Sequence, residues 1–110
     1  MSRTDYHVVV CRLLKYLYDC LRKAKPVNVD CMTPEYFKVE ESYWTYILRH
    51  LIEDGYIEGA ILFPVLGQQE PVIKITNRIN ITPKGIEYLD ENSVMKKAKE
   101  FLELAQGFIP

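Results

Sequence analysis

The chain has 110 residues, of which 48% are apolar and 26% charged, an ordinary globular balance that excludes a disordered polymer and leaves room for one domain over residues 1–110. Its formal net charge of −1 and pI near 6.1 exclude a global attraction to polyanions, so nucleic-acid binding has to rest on a local basic patch. Cys11, Cys20 and Cys31 form neither a CxxC pair nor a Cys/His cluster. They point to reduced thiols in a cytoplasmic protein, with neither a disulfide framework nor a zinc site. The run Val8-Val9-Val10-Cys11 is too short for a signal-peptide core, and no window approaches the roughly 20 residues of a membrane span, so no membrane partner is expected.

Thr4 and Asp5 open the first predicted helix, Thr4 as a cap and Asp5 as an anion at the positive end of the helix dipole. Val10, Leu13, Leu14, Leu17 and Leu21 form its apolar stripe. Pro26 disfavours helical backbone at Lys25 and ends the helix near there. Val27-Asn28-Val29 alternates as a short strand does. Thr33-Pro34 then repeats the start signal, a cap followed by proline at the first helical position, for a short helix to about Lys38.

The segment Glu40 to Gly59 organises the rest. Trp44, Ile47, Leu48 and Leu51 fall at i, i+3, i+4 and i+7 and define one buried side of a third helix. Glu40-Glu41 opens it, although Glu is a poor cap. Asp54-Gly55 stops it, because glycine takes the left-handed conformation of a helix end without steric cost. Ser42, Tyr43, Thr45, Tyr46, Arg49 and Glu53 are left on the other side, facing a partner.

Tyr56 to Leu66 is rich enough in β-branched and aromatic residues for a strand, limited by Pro64, and Gly67 to Pro71 reads as a turn. Ile73, Ile75, Ile79 and Ile81 then alternate with Lys74, Thr76, Arg78 and Asn80, so one row faces inward and the other faces water. Asn77 interrupts the inner row and marks a bulge. Thr82-Pro83 starts a further helix, with Ile86 and Leu89 inward, running to about Asn92. Ser93 caps a last one, whose stripe is Val94, Ala98, Phe101, Leu102 and Ala105. The expected fold class is α+β and mostly helical: a winged helix-turn-helix with an added C-terminal helix. The helix-turn-helix covers about 33–55, the wing about 56–81 and the C-terminal helices about 83–106.

The segments EYF…W…IL..LIEDGYIEG (Glu35 to Gly59) and ITPKGIEYLDENSVMKKAKEFL (Ile81 to Leu102) resemble the YjcQ family, small bacterial and prophage-borne proteins. The resemblance implies a winged-helix fold. It implies DNA binding only by analogy, because one fold hosts many functions.

Catalysis has little support. His7 and His50 lack the spaced carboxylate and nucleophile of a triad or metal site, and the glycines stand singly, with no phosphate-binding loop. Neither enzymatic activity nor a cofactor is expected. The candidate contacts to double-stranded DNA are Ser42, Tyr43, Thr45, Tyr46 and Arg49 on the third helix, Lys74 and Arg78 on the wing, and Lys84 just beyond it. Together they predict a DNA-binding transcriptional regulator, for which the resemblance implies a phage or mobile-element origin. Against this stand Glu40, Glu41, Glu53 and Asp54, which outnumber Arg49 along the same helix. The alternative is a protein-interaction module on the same scaffold, with Tyr43 and Tyr46 meeting a protein partner. In that case Phe101 to Pro110 either reaches across a second subunit or packs on the first helix.

Overall fold

The computed structural model describes residues 5–92. The Thr4 cap and the last helix expected from Ser93 lie outside the described residues. In chain order the elements are α1 (Tyr6–Arg22), a 3-10 turn (Val29–Cys31), α2 (Pro34–Phe37), α3 (Glu41–Glu53), β1 (Ile57–Phe63), β2 (Val72–Ile81) and α4 (Pro83–Asn92). The fold is therefore α+β, a bundle of helices with one antiparallel two-stranded ribbon.

Helix boundaries follow local chemistry. The Thr33 hydroxyl accepts from the Tyr36 N–H at 3.1 Å with Pro34 in the first helical turn, the predicted cap-plus-proline start. Glu40 occupies the N-cap of α3 in extended conformation and makes no side-chain cap hydrogen bond, as expected of a poor capping residue. Asp5, expected inside the first turn behind a Thr4 cap, is itself the N-cap of α1 and likewise makes no side-chain cap hydrogen bond. Three helix ends share one pattern, in which two backbone N–H groups fold back on carbonyls of the last turn, as in a Schellman motif. At α3, Gly55 and Tyr56 donate to Ile52 and Leu51 with Gly55 at φ 79°. At α2, Lys38 and Val39 donate to Glu35 and Pro34 with Lys38 at φ 58°. At α1, Ala24 and Lys25 donate to Leu21 and Cys20 with Ala24 at φ 53°. The first helix thus ends at Arg22, ahead of the residues that Pro26 restricts.

Two expectations are corrected. Leu21 does not continue the α1 stripe: it is 44% exposed and belongs neither to the core nor to the half-buried residues around it. Val27–Val29 is not a strand. Asn28 Oδ1 accepts from the Asp30 N–H at 3.0 Å, and the Asn28 N–H donates to the Tyr16 hydroxyl at 2.9 Å. These bonds make Asn28 the cap of the 3-10 turn Val29–Cys31, since a side-chain acceptor offers the backbone an alternative to a sheet ladder.

The core joins α1, α3, the base of the ribbon and α4. Val9, Val10, Leu13, Leu14, Leu17 and Ile47 are fully enclosed, and Leu48 and Leu51 nearly so. Trp44 stacks on Phe37 of α2 at 5.1 Å between ring centroids, a direct contact between the two helices. Ile57, Ile79, Ile81 and Leu89 close the other side.

The ribbon pairs Ile57 with Ile81 and Glu58 with Asn80, then slips register so that Ala60 faces Ile75 and Phe63 faces Val72. The extra residues lie on β2 around Asn77, the predicted bulge site. A side chain at Gly59 has no room there, because its Cβ would fall 2.2 Å from the Arg78 carbonyl oxygen. The start of α4 is fastened to the end of α3. The Thr82 N–H donates to the Tyr56 carbonyl at 3.1 Å, and its hydroxyl donates to the Gly55 carbonyl while accepting from the Gly85 N–H. Gly85 allows this approach, since a Cβ would meet the Tyr56 oxygen at 2.2 Å.

Candidate interaction surface on the third helix and the wing

With Trp44, Ile47, Leu48 and Leu51 buried, the helical period leaves Ser42, Tyr46 and Glu53 exposed on α3, and Tyr43, Thr45 and Arg49 half-buried at its edges. Tyr43 packs against the core, and burial raises its phenol pKa above 10, with the nearby Asp5 charge adding to it. Tyr46 is more open. Its ring lies 4.3 Å from His50, meets Tyr6 edge-on at 6.4 Å and sits under the Arg49 guanidinium at 5.8 Å.

Arg49 is engaged by two carboxylates. Its Nε donates to Glu70 Oε2 at 2.9 Å and its guanidinium approaches Glu70 Oε1 at 3.5 Å, while Glu53, one turn along the helix, lies 3.6 Å away. Glu70 comes from the turn between the strands, so the wing reaches back and pairs with the one arginine of α3, a helix without lysine. Beside this pair, an open groove of about 800 Å³ runs between the first turns of α2 and α3 and β2. Glu40, Glu41 and Glu70 line it with no lysine or arginine among them, so its potential repels phosphate.

The remaining predicted contacts are dispersed. Lys84 Nζ donates to the Asp54 carbonyl at 2.8 Å and lies 5.2 Å over the Tyr56 ring, which makes it a cap for the last carbonyls of α3. Lys74 and Arg78 are exposed on β2, as alternation predicts. Lys74 pairs with Ile61 ahead of the register slip, whereas Arg78 lies within it.

Sequence reasoning missed the other side of the wing. The inner row, Ala60, Leu62, Ile73 and Ile75, is half-buried toward α3. In the outer row Phe63 faces Val72 and Ile61 faces Lys74, and all three apolar residues are about half exposed. At the tip, Val65 is also exposed and Leu66 entirely so. The signal was present as an apolar run from Ala60 to Phe63 without alternation, which reads as a strand covered on both faces. Among the described residues one face has no cover.

A short helix-turn-helix followed by an antiparallel ribbon that packs back on the second of its helices defines a winged-helix-like protein. The chain belongs to the YjcQ family, whose model, described as YjcQ protein, matches residues 11–107. No curated protein and no solved structure matches it. No helix among the described residues is long and apolar enough to cross a membrane.

Proposed function

We propose that the chain is a protein-interaction module on a winged-helix scaffold, with the wing's outer row as its contact surface. The observation that carries this reading is the half-exposed apolar row Ile61, Phe63 and Val72 on one face of the ribbon, with Lys74 opposite Ile61 and Leu66 exposed at the tip. Exposed apolar patches rimmed by polar residues mark interaction sites. The test is affinity capture with the wild-type chain and with Phe63→Lys. A protein retained by the first and lost by the second supports the reading; equal capture by both overturns it.

Exposed Lys74 and Arg78 together with the polar edge of α3 favour a second reading, a DNA-binding transcriptional regulator of phage or mobile-element origin. In this reading the wing holds phosphates while Ser42, Thr45 and Tyr46 approach the groove. Arg49 joins only by exchanging Glu70 for a phosphate, and Lys84 only by releasing Asp54. A salt titration on random duplex DNA decides between the readings, and absence of binding even at low salt removes the second.

A further inference from the structure

We infer that the groove between α1 and α4 is the seat of the chain's own C-terminal segment, residues 93–106, which docks along α1 as a helix and does not reach across to a second subunit. The groove holds about 540 Å³. Its apolar surface is Val8, Cys11 and Tyr18 of α1 with Ile86 and Leu89 of α4, and its rims are Arg12, Lys15, Asp19 and Arg22 on one side and Glu87 and Asp90 on the other. The α1 residues recur at three- and four-residue steps from Val8 to Arg22, so they form one stripe along the helix. The described part of α4 accompanies only the beginning of that stripe. Its last residue, Asn92, accepts from Cys11 Sγ at 3.4 Å, and one turn earlier the Tyr88 hydroxyl meets the His7 ring. Both contacts join residues 81 apart, so α4 runs parallel to α1. The chain therefore leaves Asn92 headed along the stretch of α1 from Lys15 to Arg22, where no other described element lines the groove.

Length, pattern and charge select this occupant. From Cys11 to Arg22 the stripe is about 16 Å long at about 1.5 Å per residue, a distance that residues 93–106 cover as a helix. Val94, Ala98, Phe101, Leu102 and Ala105 recur at helical spacing and give the segment an apolar side to lay on the apolar surface of the groove. The charges along the groove are ordered. At the near end Arg12 is turned over the Phe37 ring at 5.1 Å, and Lys15 pairs with Asp19 at 3.5 Å, which leaves Glu87 and Asp90 as the acids beside the start of the segment. At the far end stands Arg22. The segment carries Lys96, Lys97 and Lys99 first and Glu100 and Glu103 after them, so docking parallel to α1 sets lysines toward the acids of α4 and glutamates toward Arg22. The opposite direction would set like charge on like. Tethered at Asn92, the segment also holds an effective concentration on the order of millimolar at the groove, which no separate partner has.

Nuclear Overhauser contacts in the isotopically labelled full chain test this. The expected result is a set of contacts from the Phe101 ring and the Leu102 methyls to Val8, Tyr18 or Ile86, unchanged on dilution. Phe101→Asp should abolish them, shift the amide resonances of the α1 and α4 residues that line the groove while leaving those of the wing in place, and lower the melting temperature by several degrees. A wild-type chain without contacts between the segment and the groove overturns the docking, and so does a Phe101→Asp variant whose groove amides do not move. Contacts that arise between labelled and unlabelled chains in a mixed sample also overturn it, because the segment in the groove would then belong to a second copy. Should Phe101→Asp fail to fold, Tyr18→Ala on the groove side gives the same comparison through the resonances of Phe101 and Leu102.

Discussion

Arg49 on the third helix and Glu70 in the turn of the wing form a two-point ion pair, Nε to Oε2 at 2.9 Å and guanidinium to Oε1 at 3.5 Å. It ties the wing to the helix and leaves the helix without an available cation. Both partners remain partly exposed, so the pair contributes no more than about 1 kcal/mol to stability, and its larger effect is on what the surface can bind. Replacing Glu70 with Gln should lower stability by less than about 1 kcal/mol in urea. If the chain binds duplex DNA, Lys74 and Arg78 alone should give a salt slope near −2, at about −0.9 per phosphate neutralised. Glu70→Gln should steepen that slope by up to about one unit, since Arg49 then keeps only the longer contact with Glu53. An unchanged slope would show that Arg49 does not reach phosphate.

Leu48 is 1% exposed at the centre of the α3 stripe. Leu48→Ala should therefore cost about 2–5 kcal/mol through the lost transfer energy and the cavity left behind. A loss below about half a kilocalorie per mole, measured by chemical denaturation, would place the stripe on the wrong side.

Two small residues give a test of sign. Gly85 lies in α4, where helix propensity alone favours alanine by about 0.5–1 kcal/mol. The contact with the Tyr56 carbonyl oxygen predicts the opposite, a loss of about 2–3 kcal/mol from forcing α4 off the end of α3. Ala24, at φ 53°, occupies a left-handed position where a Cβ costs about 1 kcal/mol. Ala24→Gly should raise stability by about 0.5–1 kcal/mol, with no change of structure. Thermal melts of both variants check the signs directly.

Burial pushes the Tyr88 hydroxyl up to about 12, with the neighbouring Cys11 side chain as a further cause, and the Tyr88 hydroxyl is hydrogen-bonded to the His7 ring. Tyr6, Tyr16 and Tyr43 are also raised, in each case first by burial. Because these folded-state values lie above the unfolded value near 10, the neutral phenols contribute stability that is fully present below pH 10 and is lost as pH rises toward 12. Ultraviolet titration should show part of the tyrosine signal ionising late, together with unfolding. Tyr88→Phe should remove part of the pH dependence of the melting temperature above pH 10. A single transition at the ordinary tyrosine value would contradict the packing around α4.

No disulfide joins Cys11, Cys20 and Cys31. The melting temperature should be the same with and without a thiol reductant, and a fall on reduction would reveal a covalent link.

What the sequence determined by itself was local in origin. Thr33-Pro34 and Thr82-Pro83 start helices because cap and proline act within one turn. Trp44, Ile47, Leu48 and Leu51 lie on the buried side, and Ile79 and Ile81 on the inner row, because side-chain direction repeats every 3.6 residues in a helix and every two in a strand. Tertiary structure decided everything that depends on residues distant in the chain. Arg49 read as exposed because Glu70 lies 21 residues away, in a turn whose position no local pattern fixes. Lys84 read as a phosphate contact because its acceptor, the Asp54 carbonyl, comes within reach only when α4 docks on the end of α3. Val27–Val29 had the alternation of a strand, but a strand also needs a neighbour, and the Asn28 side chain with Tyr16 satisfied the backbone first. The wing's outer row was apolar in the sequence, yet only the packing of the ribbon by its inner face shows that Ile61, Phe63 and Val72 are left in solvent, because a periodicity says which residues share a face and not what that face meets.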